Sequence, residues 1–223
     1  RGNKKITIES SLNDLVDRVI GIQAGRDNKI DKQPNIIKKM NDIIYHAQIS
    51  KDISPLLKKI KPTDAGIKKY YRNNPEYRTS QILIRLRAVP SKDDVAKALE
   101  QSLSIHQELL KNPKKFSQFA KQYGQTSTAS NGGDIGYQPR VRLSSEYFNA
   151  IKGKKKGYIT KPFRTQFGIH IVKLTGEKDF KQIDMSLYKK IIYDVQRDKI
   201  LKKYFEEKRK SAKLKVFKKN LKI

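Results

Sequence analysis

Thr165-Gln166-Phe167-Gly168-Ile169-His170-Ile171-Val172 carries a β-strand that runs from Phe167 to Leu174. Its period of two places Ile169 and Ile171 on one face and His170 on the opposite one. A second strand runs from Ser80 to Arg87, where Ile82, Ile84 and Leu86 alternate with Leu83, Arg85 and Arg87, the pattern of a strand with one well buried face. About 30 residues before His170 stands Asn131-Gly132-Gly133-Asp134-Ile135-Gly136, part of a small, polar, glycine-rich loop from Gln125 to Gly136.

Between the two strands the period changes to that of helices. Ser91 with Asp94 three residues on resembles a capping box, and Val95, Leu99, Leu103 and Leu110 mark the helix behind it. A shorter helix follows, with Pro113 in its first turn, Phe116, Phe119 and Ala120 inside and Gly124 as its stop. Ser144 or Ser145 caps a third helix through Ile151, and a Lys152 to Gly157 turn leads to a short strand and then the last one. Strands at both ends of a unit with helices between them predict an α+β fold. Its small antiparallel sheet would hold the first and last strands side by side, with helices around it.

The flanks read differently. Lys4 to Glu9 alternates like a short strand, with Ser10 or Ser11 as a cap. Leu12, Leu15, Val16, Val19 and Ile20 then form one apolar stripe. After the polar break Gly25 to Gln33, Pro34 starts a second helix whose buried face would be Ile36, Ile37, Met40, Ile43 and Ile44. Pro55 and Pro62 punctuate the chain, Pro62-Thr63-Asp64 opens a third helix towards Tyr70 and Tyr71, and Asn73-Asn74-Pro75 closes it. From Lys181, the residues Ile183, Leu187, Ile191, Val195, Ile200, Leu201, Tyr204 and Phe205 are spaced for one long amphipathic helix. Ala212 to Phe217 alternates as a strand that could pair with Ile6 to Ile8. The expected organisation is therefore a helical domain built from residues 1–77 and 177–223, its C-terminal part a helix and a strand, with an α+β domain of residues 78–176 inserted.

The 223 residues carry 50 Lys+Arg against 22 Asp+Glu, a formal net charge of +28. Such a charge first suggests nucleic acid, but residues 1–78, 79–176 and 177–223 carry +8, +11 and +9, so no basic arm stands apart. Lysines outnumber arginines 38 to 12, and arginine is the better bidentate ligand of bases and phosphates. Specific nucleic-acid binding is thereby reduced to a minor alternative, with Lys152 to Lys156 and Lys208 to Lys222 as its best support. The absence of Cys excludes disulfides, thiolate nucleophiles and Cys-ligated metal. No apolar run approaches the ~20 residues of a membrane helix. The chain begins at Arg1, which is compatible with a removed export signal.

There is no phosphate loop, metal-ligand spacing or Ser-His-Asp pattern, and no cofactor or metal is expected. Of the three histidines, His46 and His106 fall in amphipathic helices and read as packing or surface residues, whereas His170 lies mid-strand.

Taken in order and spacing, Ser80-Gln81-Ile82-Leu83-Ile84, Phe116 to Tyr123, Asn131 to Gly136 and Thr165 to Val172 closely resemble the parvulin family of peptidyl-prolyl cis-trans isomerases. The match covers about residues 78–176. The flanks, including Lys61-Pro62-Thr63-Asp64, Lys68-Lys69-Tyr70-Tyr71 and the C-terminal helix, resemble the helical chaperone module of SurA-like and PrsA-like exported foldases. The resemblance implies a parvulin (FKBP-like) domain and rotation about X-Pro bonds. Of the catalytic positions, His170 matches the second strand histidine, Thr165 the nearby threonine, and Gln81 stands where the first histidine is expected. Gln125, or alternatively Thr126, matches the loop acid. Leu143, Tyr147 and Phe167 match the proline pocket, with Ile135 contributing to its wall.

Glutamine hydrogen-bonds but holds no proton that titrates near neutrality, so the expectation is a foldase and chaperone of reduced isomerase activity, with a pure holdase as the alternative. The resemblance further implies a periplasmic or other extracytoplasmic location and unfolded or nascent exported clients with X-Pro segments. Proteins of this type can also form a homodimer by exchange of helical segments, which the resemblance leaves open for this chain. The spread of positive charge adds anionic envelope surfaces and acidic clients as partners.

Overall fold

A computed structural model describes residues 7–217. Its helices are α1 (Ile8–Asp27), α2 (Pro34–Leu57), α3 (Asp64–Asn73), α4 (Lys92–Lys111), α5 (Phe116–Tyr123), α6 (Ser145–Ile151) and α7 (Met185–Ser211). Its strands are β1 (Tyr77–Arg85), β2 (Asp134–Gln138), β3 (Phe163–Thr165) and β4 (Gly168–Glu177). They form one antiparallel sheet in the order β2-β1-β4-β3. The first and last strands of the α+β region are neighbours, as the sequence predicts, and Leu83 stands opposite His170.

That register sorts the side chains of β1 and β4. On one face Ile82, Ile84, Ile169 and Ile171 pack with Ala98, Ile105 and Leu109 of α4 and Phe116 and Ala120 of α5. On the other, Tyr77, Val172 and Leu174 pack with Tyr147, Phe148 and Ile151 of α6. This second face is covered only along part of its length, and Gln81, Leu83 and His170 occupy the remainder.

The chain divides into two compact units, one of residues Lys61–Gln196 and one of the residues before and after them, with the boundary falling inside α7. Within the central unit, α3 packs against the start of α7 through Ile67, Tyr71, Ile183, Tyr188, Ile191 and Ile192. The Tyr71 hydroxyl donates to the Lys178 carbonyl (2.5 Å) and accepts from the Glu76 amide (3.2 Å), which ties that helical cluster to the outer ends of β1 and β4. In the other unit, Tyr45 stacks on Phe205 and the Tyr204 hydroxyl donates to the Asp52 carboxylate (2.8 Å).

The structure corrects several expectations. Ile8 and Glu9 are helical rather than extended, because Thr7 and Ser10 form a reciprocal capping box at 3.0 and 3.1 Å; the cap is Thr7, not Ser10 or Ser11. The rest of the expected strand, Lys4 to Ile6, lies outside the described residues. Ala212 to Phe217 is not a strand: it pairs with no strand among the described residues, and a strand has no stability alone. Pro55 sits inside the last turn of α2 instead of ending it. β2 begins at Asp134, inside the segment read as loop.

On α4 the buried residues are Ala98, Ser102, Ile105, His106 and Leu109, while Leu99, Leu103 and Leu110 are 40%, 45% and 62% exposed. The leucines mark the helix but not the side that packs. The stripes of α1 and α2 exist, yet Leu12, Leu15, Val16, Val19, Ile20, Ile37, Met40, Ile43 and Ile44 are all exposed. Among the described residues, no helix is long and apolar enough to cross a membrane.

Candidate active site

The site is assembled on the uncovered end of the sheet. β1 has β2 as its neighbour only through Ser80; beyond that the glycine-rich loop takes over the edge. Gln81 N–H donates to the Gly133 carbonyl (2.9 Å), Gln125 N–H donates to the Leu83 carbonyl (2.9 Å), and Arg85 N–H donates to the Gln125 side-chain oxygen (2.8 Å). Gly133 is required here: its φ is +77°, and a Cβ would fall 2.1 Å from the Gln81 carbonyl oxygen. At the far end Gly168 has a φ of +143°, and a Cβ there would fall 2.1 Å from the Ile84 carbonyl oxygen. Both glycines of the sequence pattern are thus backbone-approach positions.

A cavity of about 340 Å³ opens between this loop, the β3–β4 turn and α6. Its apolar wall is Leu83, Ile135, Leu143, Tyr147 and Phe167. All four expected pocket residues are there, and Leu83 is added by the register that puts it across from His170. Phe167, at the turn, is 56% exposed and forms the outer rim.

On the polar side a hydrogen-bonded chain crosses the sheet. Phe167 N–H donates to Thr165 Oγ1 (3.1 Å), the Thr165 hydroxyl lies 2.8 Å from His170 Nε2, and His170 Nδ1 lies 3.2 Å from Gln81 Oε1. An amide oxygen only accepts, so the network assigns the imidazole proton to Nδ1 and has Thr165 donate to Nε2. Gln81 Nε2 then has two N–H groups with no partner among the described residues, on a side chain that lines the cavity.

His170 is 4% exposed; Phe163, its partner in the β3–β4 register, stacks on the ring at 5.5 Å, and Tyr147 meets it edge-on at 5.6 Å. Burial holds the imidazole well below its usual value, down to about 4, so at neutral pH it is uncharged. The Tyr147 hydroxyl is itself held by Thr79 Oγ1 (2.9 Å), and burial pushes it far above the usual phenol range.

His170, Thr165 and Gln81 are therefore brought into one chain. Gln125 stands apart from it, exposed and with its side-chain oxygen on the Arg85 backbone; the neighbouring Thr126, with Ser127 and Thr128, lines the cavity. Phe163, Leu83 and Arg142 were not picked out from sequence. The first two become visible once strand register is known, whereas Arg142 has no local signal. Among the described residues no cluster of His, Asp and Glu is arranged to hold a metal ion.

The sequence matches the family described as Rotamase, PPIC-type PPIASE domain, over residues 82–176. Residues 82–176 are a parvulin-type peptidyl-prolyl cis-trans isomerase domain. The parvulin domain and its flanks together are 29% identical over 231 aligned residues to the foldase protein PrsA of Caldanaerobacter subterraneus subsp. tengcongensis, covering 96% of this chain and 72% of that one. The foldase protein PrsA of Bacillus subtilis is 35% identical over 121 residues, covering 53% of this chain and 37% of its own. A crystal structure of peptidylprolyl isomerase (PrsA) from Bacillus anthracis has a TM-score of 0.53 at 22% identity, covering 96% of this chain and 92% of that one, which shows a shared fold.

The chemistry a parvulin domain performs breaks no bond. Rotation about X-Pro faces a barrier of roughly 20 kcal/mol, and lowering it takes a dry apolar slot for the ring and donors that favour the twisted imide over the planar one. Leu83, Leu143, Tyr147 and Phe167 give the cavity an apolar wall of the kind such a slot requires. The Gln81 amide N–H groups, on a side chain that lines the cavity and touches His170, have no partner among the described residues and could donate to a bound imide.

Proposed function

We propose that this chain is an exported foldase whose helical flanks, residues 1–77 and 177–223, hold unfolded clients while its parvulin domain binds and slowly isomerises their X-Pro bonds. The observation that carries this reading is the intact Thr165–His170–Gln81 chain against an apolar cavity, in which a glutamine occupies one of its ends. A buried neutral imidazole keeps the geometry of the network, but Gln81 has no proton that can shift along it, so turnover is reduced rather than abolished. The likeness to foldases named PrsA along nearly the whole chain supports the chaperone role and the extracytoplasmic location.

A pure holdase is the second reading, favoured by one specific observation: the apolar residues of α1 and α2 are uncovered and offer surface for unfolded segments. Exchange of helical segments between two copies would cover part of the same surface, and the excess of lysine would draw the protein to anionic envelope polymers and acidic clients.

A protease-coupled assay on a proline-limited substrate separates the readings. Foldase activity predicts acceleration above background at micromolar protein and a further rise on Gln81→His. No acceleration by either form, with suppression of client aggregation retained, would leave the holdase.

A further inference from the structure

Phe163 touches the imidazole of His170 but does not line the cavity. In the β3–β4 register it is the partner of His170, and the two rings stack at 5.5 Å with 16° between their planes. Tyr147 meets both rings edge-on, His170 at 5.6 Å and 86° and Phe163 at 5.9 Å and 79°. The three rings come from α6, β3 and β4, and the Tyr147 hydroxyl ties the cluster to β1 through Thr79 Oγ1 (2.9 Å).

The hydrogen bonds of His170 do not hold its ring alone. The torsion that turns an imidazole about its Cβ–Cγ bond is broad and roughly two-fold, so the backbone leaves the plane of the ring open. Of the two partners, Gln81 Oε1 at 3.2 Å is at the long end for an N–H···O bond and restrains the ring weakly. The Thr165 hydroxyl at 2.8 Å is closer, but a hydroxyl rotates to follow a nitrogen that moves. A flat ring against one face and an edge against the same imidazole oppose that turning, because aromatic pairs keep to stacked and edge-to-face geometries. Gln81 in turn is oriented by the bond its oxygen accepts from His170, and its own N–H groups, on a side chain that lines the cavity, have no partner among the described residues.

We infer that Phe163 is a positioning residue of the isomerase site: stacked on His170, it fixes the plane of the imidazole and, through it, the orientation in which Gln81 presents its N–H groups to the cavity. The inference deepens the isomerase reading of the cavity, on which its kinetic consequence rests.

The test uses the full chain with nitrogen-15-labelled histidine and reads the ring N–H of His170 by NMR at neutral pH, assigned by its loss in His170→Gln. The unmodified protein should give one sharp, slowly exchanging imidazole N–H. Phe163→Leu and Phe163→Met keep an apolar side chain without a plane, and in both the signal should broaden or vanish. Phe163→Tyr restores a ring and should keep the signal. Ile151→Val thins the same core cluster under α6 and should leave the signal sharp, which separates positioning from loss of packing. On the peptide Ala-Ala-Pro-Phe, the Leu and Met variants should lower kcat about 3- to 10-fold, the worth of one aromatic contact. Affinity for the same X-Pro peptide in fluorescent form, read by anisotropy, should stay unchanged, because the apolar wall is untouched. No sharp signal from the unmodified protein would overturn the inference. So would a sharp signal in both the Leu and Met variants, or a loss in Phe163→Tyr or Ile151→Val equal to theirs. Absence of turnover in the unmodified protein would overturn the isomerase reading, while the N–H signal, which needs no substrate, still decides whether Phe163 holds the imidazole.

Discussion

The β1–β4 ribbon has one backbone and two unlike faces. Under α4 and α5, Ile82, Ile84, Ile169 and Ile171 pack into a cluster of apolar side chains. One residue along in each strand, Gln81, Leu83 and His170 face a cavity and a hydrogen-bonded chain. The same antiparallel register serves both, so a side chain's role is set by its parity in the strand. The contrast teaches that the closed face supplies the rigidity from which the open face hangs its polar groups: His170 lies between Ile169 and Ile171, and Gln81 is followed by Ile82, all three buried in the closed core.

Breaking the closed face should have the largest effect. Ile171 is 1% exposed, and Ile171→Ala removes its γ and δ carbons from a site with no room to collapse between the sheet and α4. The expected loss is about 3 kcal/mol of unfolding free energy in the central unit. Chemical denaturation followed by hydrogen exchange of the β1 and β4 amides would read it, and a loss well under about 1 kcal/mol would contradict the assignment of this face as the main core.

The open face should reveal itself by pH. His170 has a folded-state value of about 4, against about 6.5 when unfolded. Because the folded value is the lower one, the unfolded chain binds more protons between those limits. Stability is then full above about pH 6.5 and falls as pH drops towards 4, by up to about 3 kcal/mol. His106, lowered by burial first and by Lys161 second, acts in the same direction. The carboxylates Asp94 and Asp134 are held low by their partners and add their own loss only in more acid solution. The slope between pH 6.5 and 4.5 therefore belongs to the histidines, and His170→Gln should remove most of it; an unchanged slope would mean that the imidazole is not buried in its neutral form.

These two faces also show what the sequence made legible. The period of two in Ile82 to Arg87 and Ile169 to Val172 is a direct consequence of pleating, so the strands, their adjacency and the facing of His170 could all be read. Thr165, Tyr147, Leu143 and Phe167 line one cavity because the segments that carry them pack around the open end of that ribbon. What failed depended on long-range partners. Leu99, Leu103 and Leu110 share a helical period with Ala98, Ile105 and Leu109, and only the position of the sheet selects between the two stripes. β2 was hidden because it owes its strand form to an irregular pairing with β1 through Asp134, Tyr137 and Gln138, not to its own propensity. Ala212 to Phe217 alternates well but joins no strand among the described residues.

The smallest predicted effect asks whether the open face is supported by α6 as well as by the ribbon. Tyr147 touches both: its ring meets His170 edge-on, and its hydroxyl shares a 2.9 Å hydrogen bond with Thr79 Oγ1, a side chain that is 1% exposed on β1. Tyr147→Phe keeps the ring and leaves the Thr79 hydroxyl buried without that partner, at a cost of about 1 to 2 kcal/mol. If the hydroxyl serves only to seat α6 on the sheet, stability should fall by this amount while the affinity for the X-Pro peptide is unchanged. Tyr147→Phe/Thr79→Val removes both polar groups and should recover much of the loss, because a hydroxyl with no partner costs more than an apolar pair of similar shape. A double variant no more stable than the single one would show that the ring, rather than the hydrogen bond, holds α6 over the cavity.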